Sequence, residues 1–472
     1  MLRQKPQRDE FRNSNDRRQH KKESFSPVEP PGSAAASSII PTPEGWDRSP
    51  SGHSYPLGLI QIFLQLVLFA PLSLRGAAAA IQLIFENIFA LPTPCAEAGR
   101  LWILRLGLHE LTCPKEHADD WVWLVDHTIQ LDSVQCLLVV GVRLRQWEQN
   151  RRPLEHHDLH CLLLEPGMES TGEVICEQLG HVVERTGVPR AILTDGGRNL
   201  HKGIGLFREV HPEVTHSSDV LHQAALCLKK ILTKDERWNE FLRNCGLSRK
   251  HCAKTALAFL SPPVVRDQAR FMNLEAVLKW AADMRRFLND PTLNDGSHVE
   301  PWKVTIEFKW IEEFTDAIEQ WQRLLAIVEQ VVHYVRWEGY HRDAAREMEQ
   351  RLADLRGDAL GDQLIEELTE FVRDQSQAAM PDERLLGSTE CLESLIGKGK
   401  RLEGQQSRSG FTKMILGMAA SVVTPTFHAI QSALAAVKTK DLHAWAIENL
   451  GQSVQAKRRL AFAPSAEGTK TG

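Results

Sequence analysis

The sequence predicts an α/β protein: a mixed sheet divided by a large all-helical insertion, with a small helical segment ahead of it. Three observations predict this. Between Trp121 and Ser218, short β-type apolar runs give way to alternating strands and amphipathic helices. From residue 225 to about 385, apolar residues recur every three or four positions, as in "FKWIEEFTDAIEQWQRLLAIVEQVVHYV". The chain then returns to one more helix rich in Glu, Gly and Lys, "STECLESLIGKGK" (388–400).

Composition bounds the function. The 472 residues are 42% hydrophobic and 25% charged, as in a globular protein with ample core and room for several domains. A net charge of -5 excludes a uniformly basic nucleic-acid binder and leaves such a role to local patches. Nine cysteines without a CxxC pair point to reduced thiols, not to a zinc ribbon or a disulfide framework. The first residues are polar and charged, without an apolar leader, so a cytoplasmic protein is expected.

In chain order, residues 1–54 are rich in Pro, Ser, Gly and charge and are expected to form a disordered tail. Its first 22 residues carry eight Lys or Arg against three acids, which suits a phosphate-gripping arm or a merely solvated one. Residues 57–92 are strongly apolar, but Gln61, Gln65, Pro71 and Arg75 leave no run of the roughly 20 residues that a membrane span needs. Two buried helices are expected there. "TPCAEAGRLWILRLGLHEL" (93–111) opens with Thr-Pro and carries Arg100 and Arg105. Over 55–113 this is the layout of a helix-turn-helix DNA-binding domain, or else of a plain helical segment.

"WVWLVD" (121–126), "SVQCLLVVGVRL" (133–144) and "DLHCLLLEP" (158–166) read as three strands, with Asp132 in the first hairpin. An amphipathic helix follows, then "AILTD" (191–195), a helix from about Arg198, the short run "EVTHSS", and a helix beginning near Asp219. The order β-β-β-α-β-α-β-α is that of the RNase H-like fold, whose first and fourth strands lie side by side. Residues 119–224 and 386–450 are then the two parts of the core, 225–385 the insertion, and 451–472 a flexible tail.

Asp126 ends the first strand and Asp195, 69 residues later, ends the fourth. Asp195 before Gly196–Gly197 is either a site carboxylate at a strand end or a turn residue capping the next helix. Two carboxylates brought together repel unless a hard cation lies between them, and Mg²⁺ takes a few such oxygens plus waters and phosphate. The chain has no GxxxxGK[ST], so a nucleic-acid phosphodiester suits this chemistry better than a nucleotide triphosphate. Glu390 and Glu393 both stand on the later helix, and the residues alone leave either open as a third acid. Lys398, Lys400, Arg401, Arg408 and Lys413 form a basic run beside them, expected to contact a DNA backbone. Asp219 reads as a helix N-cap; Trp310 and Trp321 read as core of the insertion, which also holds Trp302.

The motifs "WLVDHT", "ILTDGG", "SSDVLH" and "STECLESLIGKGK", in this order over most of residues 60–440, resemble the DDE transposases of bacterial insertion sequences whose RNase H-like domain is split by a helical insertion. The resemblance implies Asp126, Asp195 and Glu393 as the catalytic, metal-binding triad. Its E-x6-K pattern, with Lys400 after Glu393, favours Glu393 over Glu390. It implies Mg²⁺ as cofactor, two ions with Mn²⁺ able to substitute, and Asp219 and His222 as accessory residues near the acids. It implies DNA cleavage at element ends followed by strand transfer from the freed 3′-hydroxyl, with Arg100, Arg105, Lys398, Lys400 and Arg401 contacting DNA. Terminal inverted repeats and target DNA would be the partners, met by a homodimer near the nucleoid and away from any membrane. A nuclease that cuts without joining and a non-catalytic DNA-binding derivative are the alternatives.

Overall fold

The computed structural model describes residues 43–86, 93–131, 134–167, 170–264, 270–290, 299–405 and 412–450, with 458, 459, 461 and 462 beyond. The basic arm, Asp132, Arg408 and nearly all of the C-terminal tail lie outside these residues. Residues 45–54, expected to belong to the tail, are instead packed: the Trp46 ring lies so close to Gly58 that no side chain would fit there.

Three helices come first, α1 (Leu57–Leu68), α2 (Leu74–Ile81) and α3 (Ala96–Thr112). The sheet strands are β1 (Trp121–Leu131), β2 (Val134–Arg143), β3 (His160–Gly167), β4 (Ala191–Thr194) and β5 (Thr215–Ser218). Between and after them run α4 (Leu144–Asn150), α5 (Gly172–Thr186), α6 (Arg198–Val210) and α7 (Val220–Lys234). The five-stranded sheet has the order β3-β2-β1-β4-β5. β1, β2 and β3 pair antiparallel, while β4 pairs parallel to β1 and β5 parallel to β4.

Alternate residues of each strand point to opposite faces, and both faces are covered. Trp121, Trp123, Val125 and Ile192 meet Ile175, Leu179 and Val182 of α5 and Ile204 and Phe207 of α6. Val122, Leu124, Leu138, Ala191 and Leu193 join the larger core, built with the remaining helices.

The insertion contains α8 (Glu236–Cys252), α9 (Leu274–Asn289), α10 (Pro301–Phe308), α11 (Thr315–Glu338), α12 (Ala344–Leu352) and α13 (Ala359–Ser376). Trp321 on α11 is fully buried against Trp238 and Phe241, and its indole donates to Asp235 at 2.8 Å. Trp310 packs on Phe241 and Phe314, whereas Trp302 is exposed. Within the insertion Tyr340 and Leu385 form an isolated β-bridge, and a largely buried Arg190–Glu383 ion pair at 2.7 Å ties its end to the residue before β4. After it come α14 (Glu390–Gly404), α15 (Leu416–Ser421), α16 (Phe427–Ala436) and α17 (Thr439–Leu450). No described helix is long and apolar enough to cross a membrane.

The N-terminal helices differ from an exposed DNA-reading domain. Of α3, only Glu97 and Thr112 are exposed; Trp102, Ile103, Leu104, Leu106, Leu108 and Leu111 are buried. The helix packs against α15 and α16. Its apolar residues lie on nearly every side, the pattern of an internal helix and not of one that lies on a groove. A Cβ on Gly107 would overlap the Leu416 carbonyl oxygen, so close is the approach. Gly107→Ala is therefore expected to lower stability by about 1–3 kcal/mol in urea titration, the usual cost of overpacking. An unchanged midpoint would mean that α3 does not sit against α15.

Candidate active site at the parallel strand ends

β1 and β4 run in parallel register from Val122 beside Ala191 to Val125 beside Thr194. The next residue along each is an aspartate, Asp126 and Asp195. Asp126 does not end β1 as expected but lies within it, paired with Leu138 of β2, because the β1–β2 hairpin runs on to Leu131. By strand alternation the Asp126 side chain shares the face of Leu124, the face on which α14 packs against β1, while Asp195 directly follows β4. Each is half-buried. Asp195 is not the cap of α6: that position is Gly197, and no side chain caps the helix. The chain turns away at Gly196, whose φ of 100° suits glycine.

Histidines surround this turn. His127 follows Asp126, and its Nε2 lies 2.6 Å from the Ser170 hydroxyl. Burial holds the His127 imidazole below its ordinary value, while the nearby Asp195 charge pulls the other way. The rings of His201 and His222 both border Gly196. His216 on β5 stacks near His201 at 4.8 Å between ring centres and shares a hydrogen bond with the Thr194 hydroxyl at 3.1 Å. Burial, then the charges of His201 and Arg208, push His216 down to about 4.

The glutamates of α14 have different surroundings. Glu390 pairs with Arg336 of α11 at 3.1 Å and lines a cavity of about 300 Å³ with His156, Ser394 and Lys398. Glu393 lies one turn along, half-buried, outside that cavity lining. Among the described residues, no three His, Cys, Asp or Glu side chains converge closely enough to hold a metal ion. Asp126, Asp195 and Glu393 thus stand on adjoining elements without forming one tight cluster.

Asp219 is 1% exposed and caps α7, accepting from the His222 amide at 3.0 Å. Its other oxygen accepts from the Thr389 amide at 3.0 Å, a contact across 170 residues that no local pattern announces. Tyr340, on the insertion's returning segment, donates its hydroxyl to the Ser218 carbonyl at 2.8 Å.

Of the basic residues, Lys400 and Arg401 are exposed on α14. Lys398 lies over the Phe69 ring at 5.5 Å, and burial lowers its ammonium. Arg100 is tied to Glu97 at 2.5 Å, and Arg105 to His53 at 3.0 Å and Thr439 at 2.9 Å. Those two arginines hold the fold's own contacts, and Lys413 is held at 2.8 Å to His443. The residues that sequence reasoning missed, Arg336, Ser170 and Thr389, come from distant segments or carry no charge.

No family model and no curated protein matches the chain. Among solved structures, a Drosophila P element transposase strand transfer complex is similar at 11% identity, over 80% of this chain and 94% of that one, with a TM-score of 0.41. The site's residues, and not that distant likeness, carry the functional reading.

His216 makes stability depend on pH. A histidine held at about 4 when folded and near 6.5 when unfolded binds fewer protons in the native state. Its contribution is complete above pH 6.5 and is lost as pH falls towards 4. By pH 5 the loss is about 2 kcal/mol. Chemical denaturation of wild type and His216→Gln at pH 7.5 and 5 should show the variant losing less stability by that amount; equal losses would place His216 in water.

Proposed function

We propose that the chain is a DDE-type DNA transposase of the insertion-sequence kind, with an RNase H-like core. One observation carries the reading: Asp126 and Asp195 directly follow paired positions of adjacent parallel strands, and α14, the helix of Glu393, packs against β1. The strand order β3-β2-β1-β4-β5 and the helical insertion ahead of α14 agree with the resemblance of the motifs.

The donor set suits Mg²⁺, with Mn²⁺ as a substitute. Asp126, Asp195 and Glu393 offer only hard oxygen donors, and like-charged carboxylates on adjoining elements gain most from a divalent cation between them. Those three residues would hold the metal, which when bound supplies positive charge at the scissile phosphate and lowers the pKa of the attacking hydroxyl. Glu390 is engaged by Arg336 and is not assigned to the site. Lys400 and Arg401, exposed further along α14, bind backbone phosphates and orient the strand across the carboxylates.

The reaction has two displacements at phosphorus. Water attacks a phosphodiester at the element end, one P–O bond forms as another breaks, and a 3′-hydroxyl is freed. That hydroxyl then attacks a phosphodiester of target DNA, again exchanging one P–O bond for another, so joining requires no nucleotide triphosphate. Terminal inverted repeats supply the ends, and a homodimer holds a pair of them together.

The test is Mg²⁺-dependent cleavage and joining of DNA carrying the sequences that flank the coding region. Asp126→Asn, Asp195→Asn and Glu393→Gln should each lower cleavage by roughly 10³-fold, while Glu390→Gln stays within a few fold of wild type. Undiminished cleavage in Asp195→Asn would overturn the assignment. Nicking without joining by the wild type would make the protein a nuclease, and binding without nicking a non-catalytic DNA-binding protein.

A further inference from the structure

We propose that Asp219 is a positioning residue for the third acid: its buried carboxylate ties the first turn of α14 to the ends of β4 and β5, and so sets where Glu393 stands relative to Asp126 and Asp195. This inference rests on reading those three acids as the metal-holding set.

An N-cap needs one oxygen. Asp219 uses one, accepting from the His222 amide at the start of α7, and serine or threonine could do as much. Its second oxygen reaches the Thr389 amide, at the residue that begins α14. The backbone amide of Asp219 donates to the Thr194 carbonyl at 2.9 Å, directly before Asp195. One residue therefore connects the strand end that presents Asp195 with the helix that presents Glu393. Glu393 is a single turn from the tie, its own amide donating to the Thr389 carbonyl at 3.1 Å.

The surroundings reinforce the junction. The Val220 amide donates to the Gly387 carbonyl at 2.9 Å, and the Tyr340 hydroxyl reaches the carbonyls of Ser218 at 2.8 Å and Gly387 at 3.4 Å. A Cβ on Gly387 would overlap Val335 and crowd the Tyr340 ring, so the segment before α14 is pressed against the insertion. A carboxylate at 1% exposure is costly unless its oxygens are satisfied, and the Asp219–Thr389 bond spends that cost on joining two distant segments. Asparagine would keep one acceptor and turn an amide donor towards the other N–H. Serine would keep the cap on α7 and lose the reach to Thr389.

The full chain is compared as wild type, Asp219→Ser, Asp219→Asn, Tyr340→Phe and Glu393→Gln, by hydrogen exchange and by Mn²⁺ affinity from electron paramagnetic resonance. In Asp219→Ser, exchange over residues 388–396 should rise about tenfold while residues 223–230 of α7 stay protected. Mn²⁺ affinity should fall about fivefold to tenfold, towards that of Glu393→Gln, with Asp219→Asn between. Tyr340→Phe, which keeps the ring and every carboxylate, should raise exchange over 388–396 by a smaller factor even if both Asp219 variants fail to fold. Unchanged exchange over 388–396 in the folded variants overturns the tie. Wild-type Mn²⁺ affinity in Asp219→Ser, beside a loss in Glu393→Gln, overturns the positioning role and leaves the triad standing. No loss in Glu393→Gln itself removes the third acid, and with it the role given to Asp219.

Discussion

The parallel pairing of β1 with β4 is the constraint from which the rest of the site follows. A register that sets Val125 beside Thr194 delivers Asp126 and Asp195 as the next residues of neighbouring strands. Strand alternation turns the Asp126 side chain to the face of Leu124. β1 also pairs with β2 on its other edge, so it sits centrally in the sheet and cannot shift by one residue without exchanging buried Leu124 for the opposite face. In the proposed site this pairing would set two like charges on neighbouring segments, which a divalent cation would relieve.

The second requirement is to bring α14 back after the insertion. The ends of that excursion are joined where β5 meets α7: Asp219 to Thr389, Val220 to Gly387, and Tyr340 to the Ser218 carbonyl. Arg190, just before β4, pairs with Glu383 near the end of the insertion. Closing so long an excursion costs entropy that grows only slowly with length, and the aromatic core around Trp238, Phe241 and Trp321 gives the insertion its own stability. An inserted body of this kind can be large without loosening the residues that flank it.

Local patterns were readable in the sequence, and long-range partners were not. The apolar runs before Asp126 and Asp195 and the N-cap Asp219 depend on residues within a few positions, and the structure places strands and a cap there, though β1 runs on past Asp126 to Leu131. In α3 the arginines are engaged within the fold; Arg105 finds His53 and Thr439, 52 and 334 residues away. The helix's apolar residues on nearly every side and its Gly99 and Gly107, which admit the Phe63 ring and the Leu416 backbone, are the sequence signal of an internal helix. Glu390 and Glu393 stand one turn apart on the same helix, and in the structure Glu390 pairs with Arg336 of α11 and lines the cavity beside it. Asp219 and Thr389 are 170 positions apart, and no periodicity encodes a bond of that span.

Everything chemical in this account depends on Asp126 and Asp195 serving one cation. Anomalous diffraction from Mn²⁺ in crystals of the protein bound to a DNA end measures this most directly. A peak within coordination distance of oxygens from both aspartates is the predicted result. A peak bound by only one of them, or none at these strand ends, would contradict it.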